Sequence, residues 1–434
     1  TSLLLFVLVL VNLAVFFGVL LRRFVKNHYF ILKDQRRVVW GQGIDGVLLG
    51  DPVPAGPTSR YAWDWAAAEE ALLERAPKAT PVELAQLQSL FRRWGFFRDR
   101  VRRLLWGNPW QQARSALVVA QMQFWEALPA VVALLKRPYL DVRLAGVNAL
   151  GILGLPQATA PLFALLPGSS GREVRTILSA VLRCLRETPD KLVPYLSSRS
   201  TLVRLVAAAA LAELARKQEL PALLKAAADP EPEVRAKVAR ALGGTRQPEA
   251  WKGLEWLATD PVWYVRLQAV AALGRIGHGP AEHLWRALQD PDSRVQRKAA
   301  VALYERLRDP VSLLRWLRTH SADRTALAGL VDELARRGVT WEAINRVCSP
   351  IALAREESQA LVRELVRSRF FAATFYAIQT HPESSVRQQL FALAEEEASP
   401  AMRLHLAALL RSATLDADSR RRAVALLGRW EARP

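Results

Sequence analysis

The chain has 434 residues, of which 51% are apolar, and its 60 lysines and arginines outnumber its 41 aspartates and glutamates. That apolar fraction excludes a disordered protein, and the formal charge of +19 indicates a negatively charged partner such as anionic lipid, nucleic acid or an acidic protein. The two cysteines, Cys184 and Cys348, lie too far apart in sequence to indicate a disulfide framework or a metal motif. Alanine, leucine and arginine dominate without strand-type alternation, which predicts an almost entirely helical protein.

Residues 1–21 contain a long apolar run. As a helix, the segment from Leu3 to Leu21 is about 28 Å long, close to the thickness of a bilayer core, so we predict a single transmembrane helix. A buried core helix is the alternative. The cations follow the run instead of preceding it, which argues against a signal peptide and places the rest of the chain on the cytoplasmic side of the inner membrane. The predicted anchor residues are Leu3, Leu10, Phe16, Phe17 and Leu21.

Residues 22–60 are basic at first and then rich in glycine and proline. The basic part is expected to contact anionic lipid headgroups through Arg22, Arg23, Lys26, Arg36 and Arg37. Residues 41–46 match the dinucleotide fingerprint G-x-G-x-x-G, but no strand–helix–strand unit surrounds them, so they do not predict a nucleotide site. We interpret residues 41–59 as a linker.

Residues 61–108 are predicted to be an amphipathic helical cap. Thr80, Pro81 and Glu83 form the start signal of a helix in which aromatic residues and arginines are interspersed. This helix either covers the end of the following repeats or lies in the membrane interface. Its candidate partner contacts are Trp94, Arg98 and Arg102.

From residue 109 onward the chain contains a repeated pair of helices. Apolar positions at i, i+4, i+7 and i+8 recur in every second helix, and the intervals between the leading valines are 32, 29, 31, 31 and 30 residues. Those valines are Val142, Val174, Val203, Val234, Val265 and Val295. The repeats are regular over 109–306 and degenerate over 307–434, where Val386-Arg387 and residues 416–428 look like later copies.

Residues 229–243 and 260–274 are close matches to the motif Asp-Pro-x-x-x-Val-Arg-x-x-Ala-x-x-Ala-Leu-Gly. On this motif the chain resembles the HEAT-repeat superfamily, in particular the repeats of about thirty residues in the phycobilin lyase and deoxyhypusine hydroxylase families. The resemblance implies stacked helical hairpins whose concave face binds another macromolecule. The predicted fold is therefore all-α, with one transmembrane helix followed by an α-solenoid of HEAT-like hairpins.

The charged and aromatic residues of the repeats have two interpretations. The Asp and Arg pairs could form a binding ladder, but we favour contacts between neighbouring turns. The tryptophans 251, 256, 263 and 285 are interpreted as packing between repeats. Trp263 and Tyr264 lie in a turn, where we expect them to be exposed and to contact a partner.

No catalytic, metal or cofactor site is predicted. Iron-binding enzymes among the HEAT-like proteins use His-Glu pairs, and none of the six histidines here is followed by glutamate. His278 and His283 have no third ligand nearby in sequence and are interpreted as surface polar residues.

The sequence therefore predicts a non-enzymatic, membrane-anchored scaffold or accessory subunit that docks onto an integral membrane protein complex. Membrane-tethered HEAT proteins that accompany glycosyltransferases in polysaccharide export are similar in organisation. A nucleic-acid-binding HEAT-like protein, favoured by the charge, and an enzyme of the HEAT-like lyase group are the alternatives.

Overall fold

The computed structural model describes residues 2–411 and 415–431, apart from the side chains of residues 2–12, 14 and 429–431. Every regular element in that part of the chain is an α-helix or a 3-10 helix, as the composition predicts. The helices form two units, residues 1–192 and 193–434, and both consist of successive helical pairs of an α-solenoid.

The first unit contains nine α-helices among its described residues. They are α1 (Ser2–Leu48), α2 (Ala62–Arg75), α3 (Pro81–Arg93), α4 (Phe96–Trp106), α5 (Pro109–Gln121), α6 (Leu128–Leu134), α7 (Leu140–Leu153), α8 (Thr159–Leu165) and α9 (Gly171–Cys184).

Helix α1 is much longer than the sequence predicts, because it continues through the expected basic segment and through Gly41 and Gly46 to Leu48. Its last turns pack into the unit, where Ile44 and Val47 are buried. Gly41 lies beside the guanidinium of Arg75 on α2, and a Cβ there would be 2.7 Å from its Nη2 atom, so a larger residue would displace that side chain. The prediction of a linker beginning at residue 41 is therefore wrong, and the irregular connection is confined to residues 49–61.

The start of α1 was predicted to span a membrane. Among the residues whose side chains are described, no helix combines the length and the apolar character that a membrane crossing needs. Leu3 and Leu10 lie outside the described side chains. Phe16, Phe17 and Leu21 are described, and all three are exposed on α1.

The predicted amphipathic cap begins as expected and then divides. The backbone N–H of Thr80 donates to the carboxylate of Glu83 at 2.7 Å, and Pro81 is the first residue of α3. Gly95 then adopts a φ of +81°, which ends the helical path, so α3 and α4 are separate helices. The continuous helix expected over this segment is corrected for that reason.

The second unit continues the pairing of a first helix with a longer second helix. Its first pair starts with a 3-10 helix, Pro189–Ser197, that crosses the boundary between the units. Its α-helices are α10 (Thr201–Leu214), α11 (Leu220–Ala226), α12 (Pro232–Thr245), α13 (Trp251–Leu257), α14 (Trp263–Ile276), α15 (Glu282–Ala287), α16 (Ser293–Arg306), α17 (Pro310–Thr319), α18 (Arg324–Arg336), α19 (Val339–Arg346), α20 (Ala352–Arg367), α21 (Ala372–Thr380), α22 (Ser384–Glu396), α23 (Arg403–Leu410) and α24 (Ala417–Glu431).

The second helices are spaced more regularly in the structure than the valines are in the sequence. The second helices α7, α9, α10, α12, α14 and α16 begin at intervals of 31, 30, 31, 31 and 30 residues. In five of them the third residue is a buried valine, but in α9 the third residue is the buried Glu173. Val174 is only half-buried and Ile177 fills the core instead, so our register for this copy was displaced by one residue.

Gly243 lies inside α12, close to its end. The helix does not end there but at Thr245, and Arg246 adopts the left-handed conformation with a φ of +52°. A Cβ at Gly243 would lie 2.6 Å from the Cβ of Ala272 on α14. The glycine therefore allows α12 and α14 to pack closely, instead of terminating α12.

The degenerate repeats keep the same construction. Val386 is buried as the third residue of α22, the position that a buried valine occupies in the regular second helices. Arg387 donates to the carbonyl oxygen of Pro382 at 3.0 Å, and Arg355 on α20 donates to the carbonyl oxygen of Ser349 at 2.8 Å. Arg355 therefore marks a copy that the sequence pattern did not reveal.

Candidate protein-binding groove

Arginine–aspartate pairs hold the turns of neighbouring repeats together in the second unit. Each arginine, the fourth residue of its second helix, donates through Nε and Nη2 to both carboxylate oxygens of an aspartate in the next turn. The pairs are Arg204 with Asp229, Arg235 with Asp260, and Arg266 with Asp290. These hydrogen bonds raise the pKa of all three arginines. The pairs therefore connect the turns of neighbouring repeats, which is the interpretation that we favoured over a binding ladder.

Side chains that project from α10, α12 and α14 line a groove. Its volume is about 490 Å³. Helix α14 contributes Trp263, Tyr264 and Gln268, and α12 contributes Lys237 and Arg240. The groove combines two aromatic side chains with two cations and one carboxylate, that of Glu233, and it contains the aromatic pair that the sequence predicted as a partner contact.

Trp263 and Tyr264 are half-buried, which is less exposed than predicted. Their rings meet edge to face, with centroids 5.6 Å apart. The guanidinium of Arg294 on α16 covers the ring of Trp263, with its Cζ 3.3 Å from the ring centroid. Arg294 is itself held by Asp292, and this pair lowers the pKa of Asp292 to about 2. The two aromatic rings are therefore fixed in orientation before any partner arrives.

Positive charge is concentrated at one side of the groove. Arg240 pairs with Glu213 at 2.6 Å, while Lys237 has no ion-pair partner among the described residues. Arg275 donates to the carbonyl oxygen of Arg240 at 3.3 Å. Burial and the neighbouring charge of Arg240 lower the pKa of Arg275. An anionic group bound beside these two guanidiniums would reduce their mutual repulsion.

The predicted lipid-binding cations fall into two groups. Arg22, Arg23 and Lys26 are exposed on α1. Arg36 instead pairs with Asp64 at 2.9 Å and Arg37 with Glu74 at 2.7 Å, both on α2. The expectation that these two arginines contact lipid is corrected, because their charges are used to fix α1 against α2.

The three candidate contacts in the cap differ in their exposure to solvent. Arg98 and Arg102 are exposed on α4, as a partner contact requires. Trp94 is only 6% exposed and packs edge to face against Trp40 of α1, with ring centroids 5.4 Å apart. A Cβ at Gly56 would lie 2.5 Å from the Trp94 ring, so the connection after α1 closes over this indole. Trp94 is therefore a packing residue and is removed from the candidate site.

Histidines have a structural role that the sequence did not reveal. His283, interpreted as a surface residue, stacks on Trp251 with ring centroids 5.7 Å apart and lies 3.3 Å from Glu255. His320 stacks on Trp316 at 4.2 Å, and His381 lies 6.2 Å from the ring of Trp341. Two of these contacts join residues 32 and 40 positions apart, and the third joins Trp316 of α17 to His320, which follows that helix. Within the described residues no group of three or more potential ligands is placed to hold a metal ion.

Comparison with protein families decides the architecture. The model of the family described as HEAT repeats matches residues 106–183, 189–261 and 252–335. The chain belongs to the HEAT-repeat family. This membership accounts for the stacked hairpins and supports a scaffold or protein-interaction role.

Three solved structures are among those that the chain matches. The chain matches an engineered protein at 20% identity, covering 78% of this chain and 96% of that one with a TM-score of 0.32. It matches human deoxyhypusine hydroxylase in complex with glycerol at 20% identity, covering 64% and 98% with a TM-score of 0.26. It matches importin beta at 14% identity, covering 86% and 65% with a TM-score of 0.38. With TM-scores this low, the assignment to the HEAT-repeat family rests on the family model alone. A search of curated proteins finds no match.

Proposed function

We propose that this HEAT-repeat chain is a non-enzymatic scaffold held at the cytoplasmic face of a membrane, where it docks an integral membrane protein. The observation that carries the docking role is the groove of Trp263 and Tyr264 with Lys237 and Arg240 at its side. Aromatic side chains and arginine are the residue types that contribute most to protein interfaces. The groove is therefore the part of the described surface best suited to a protein partner.

The charge of the groove indicates what kind of segment it accepts. Lys237 lacks an acidic partner among the described residues, whereas Arg240 already pairs with Glu213 and lies close to Arg275. An acidic segment of the partner would be attracted to these cations, and one of its apolar side chains would cover Tyr264. A flat, preoriented aromatic surface lowers the conformational entropy that is lost on binding.

The exposed start of α1 supports a membrane location. Phe16, Phe17 and Leu21 are large apolar side chains in contact with solvent, and Arg22 and Arg23 follow them directly. Apolar side chains followed by cations are typical of a helix that enters a bilayer with its basic end at the headgroups. In the proposed arrangement Arg22, Arg23 and Lys26 contact anionic lipid.

Ion pairs between α1 and α2 would make the anchor stiff. Lys33 pairs with Glu70 at 2.8 Å, and Arg75 pairs with Asp45 at 2.5 Å. The first repeats would therefore stay close to the membrane, which raises the effective concentration of a partner in the same membrane. Glycosyltransferases and other components of polysaccharide export are the first partners to test.

The docking role is tested by purifying the full chain from membranes in mild detergent. We expect an integral membrane protein to co-elute with the wild type and to be lost with the double variant Trp263→Ala/Tyr264→Ala. The matched control is Trp256→Ala, which should retain the partner, because this tryptophan lies outside the groove and is exposed instead of packing between repeats as the sequence suggested. Recovery of a lone monomer from the wild type under several gentle conditions would exclude a stable subunit.

The membrane location is tested separately by extraction with alkaline carbonate. An integral protein stays with the membrane pellet, and we expect this for the wild type. Phe16→Asp/Phe17→Asp should move the chain into the supernatant, whereas Leu404→Asp on α23, also exposed, should not. Release of the wild type by carbonate would argue against an anchor.

A further inference from the structure

A second cleft, in the first unit, has the composition of a small-molecule site. It lies between α2, α4 and α5 and has a volume of about 600 Å³. Its aromatic side chains include Trp65, Phe96 and Trp110, and its guanidiniums include Arg103 and Arg114. A cleft of this size with a few oriented polar groups is typical of ligand sites.

Two of the three arginines at this cleft are neutralised by the protein. Arg100 forms two hydrogen bonds with Glu69, and both residues are buried. Arg103 pairs with Asp99 at 2.8 Å. A buried ion pair contributes little to stability beyond what apolar residues would contribute in its place, so the Glu69–Arg100 pair is better explained by orientation of the cleft.

The third arginine, Arg114, has no close ion-pair partner. Its nearest carboxylate is Glu70, at 3.9 Å, and Glu70 already pairs with Lys33 at 2.8 Å. Among the described residues the Arg114 guanidinium makes no hydrogen bond. Because the other two guanidiniums are matched by closer carboxylates, Arg114 is the most weakly paired guanidinium of the cleft.

The aromatic side chains next to this charge are exposed. Trp110 is 65% exposed and Trp65 is 39% exposed, although tryptophans are usually mostly buried. Arg114 lies over the ring of Trp110, with its Cζ 5.5 Å from the centroid. Trp65 meets Phe96 edge to face at 5.8 Å, and its N–H donates to the carbonyl oxygen of Ser59 at 2.9 Å. The position of Trp65 is therefore fixed while part of its ring is left in solvent.

We propose that this cleft binds a small organic anion that carries a planar ring. The anionic group, a phosphate or carboxylate, accepts hydrogen bonds from Arg114, and the ring stacks on the indole of Trp110 or Trp65. Arginine is suited to this role because its planar guanidinium donates two parallel hydrogen bonds to such anions. The proposal is independent of the docking groove, which lies in the other unit.

The test is calorimetric titration of the full chain with 1-naphthyl phosphate, which has a ring and a charge. Inorganic phosphate and 1-naphthol, each lacking one of these features, are the comparison probes. We expect 1-naphthyl phosphate to bind at least about tenfold more tightly than either, since ring and anion contribute together. Adenosine monophosphate and indole-3-acetate then distinguish a nucleotide from an aryl carboxylate as the source of the ligand.

Variants of the cleft test whether 1-naphthyl phosphate binds there. Arg114→Gln and Trp110→Leu should each weaken 1-naphthyl phosphate by about tenfold or more, and Arg114→Lys should restore part of the loss. Arg172→Gln and Trp125→Leu change the same residue types at exposed positions outside the cleft and should leave binding unchanged. The proposal is overturned if 1-naphthyl phosphate does not bind, if it binds no better than inorganic phosphate, or if both cleft variants bind as the wild type does.

Discussion

Arg235 donates to both carboxylate oxygens of Asp260, at 2.6 and 3.0 Å, although the two residues are 25 positions apart. The same guanidinium donates to the carbonyl oxygen of Asp229 at 2.9 Å, and Asp260 accepts from the backbone N–H of Val262 at 2.9 Å. One ion pair thus connects α12, the turn before it, and the turn that leads to Val262, the N-cap residue of α14. Repeated along the second unit, this contact sets the spacing of the helices from which the groove side chains project.

Loss of one such arginine should destabilise the repeats. In Arg235→Ala the nearly buried carboxylate of Asp260 loses its partner, and we expect the free energy of unfolding to fall by about 2–3 kcal/mol. Urea unfolding followed by circular dichroism measures this change. In the double variant Arg235→Ala/Asp260→Ala the loss should be smaller than the sum of the two single losses. Additive losses would mean that the pair does not act as a unit; Arg98→Ala, at an exposed position, should be near neutral.

Adjacent glycines on α12 provide a matched pair of substitutions. Gly243→Ala places a methyl group 2.6 Å from the Cβ of Ala272, so we expect a loss of about 1–3 kcal/mol as α12 and α14 separate. At Gly244 the nearest atom to such a group is the carbonyl oxygen of Ala212, at an unstrained 3.6 Å. Gly244→Ala should therefore stabilise the chain, by up to about 1 kcal/mol, through helix propensity. The same thermal or urea unfolding measures both, and equal effects would contradict close packing at Gly243.

Acid should weaken the first unit through Glu173. A backbone hydrogen bond from Ser170, with help from Arg143, lowers the pKa of Glu173 below its ordinary value of 4.5. A carboxyl with a lowered folded-state pKa stabilises the fold above its unfolded pKa, and the stabilisation is lost as the pH falls below about 4.5. Glu173→Gln should be less stable at pH 7 by about 1 kcal/mol. The difference in the free energy of unfolding between wild type and variant should disappear in acid. A difference that does not depend on pH would contradict this role.

The junction of α1 and α2 should depend on Arg75. Removing its pair with Asp45 by Arg75→Gln frees the last turns of α1, and we expect the amides of residues 42–48 to exchange about two- to fivefold faster. Hydrogen exchange followed by mass spectrometry measures the change. Arg103→Gln breaks an ion pair within α4 and should not affect those amides. Unchanged exchange in Arg75→Gln would mean that apolar packing of Ile44 alone holds the helix.

Local sequence pattern predicted the second helices because their buried positions recur within each helix. Val234 and Leu242 are fully buried on the face that the spacing indicated. The pattern misled at α9, where the Val174-Arg175 dipeptide resembles the motif although Glu173 occupies the buried position. Glu173 can replace both the valine and the turn aspartate, because its carboxylate accepts from Arg143 at 2.8 Å.

Contacts between distant residues account for the remaining errors. Nothing near Arg36 in sequence indicates that Asp64 neutralises it, and nothing near Trp94 indicates that Trp40 and Gly56 cover it. The groove was partly predictable. Trp263 and Tyr264 stood out as aromatic residues in a turn, but the cover of Arg294 and the nearby charges of Lys237 and Arg240 come from other repeats.

Site-specific photo-cross-linking in intact membranes tests the central claim most directly. The full chain carries the photoreactive amino acid p-benzoylphenylalanine in place of Tyr264 in the groove or in place of the exposed Gln218 outside it. Our account predicts a light-dependent adduct from position 264 with one integral membrane protein, whose cross-linked peptide is acidic, and no such adduct from position 218. Absence of a specific adduct at position 264, or the same adducts from both positions, would contradict docking through the groove.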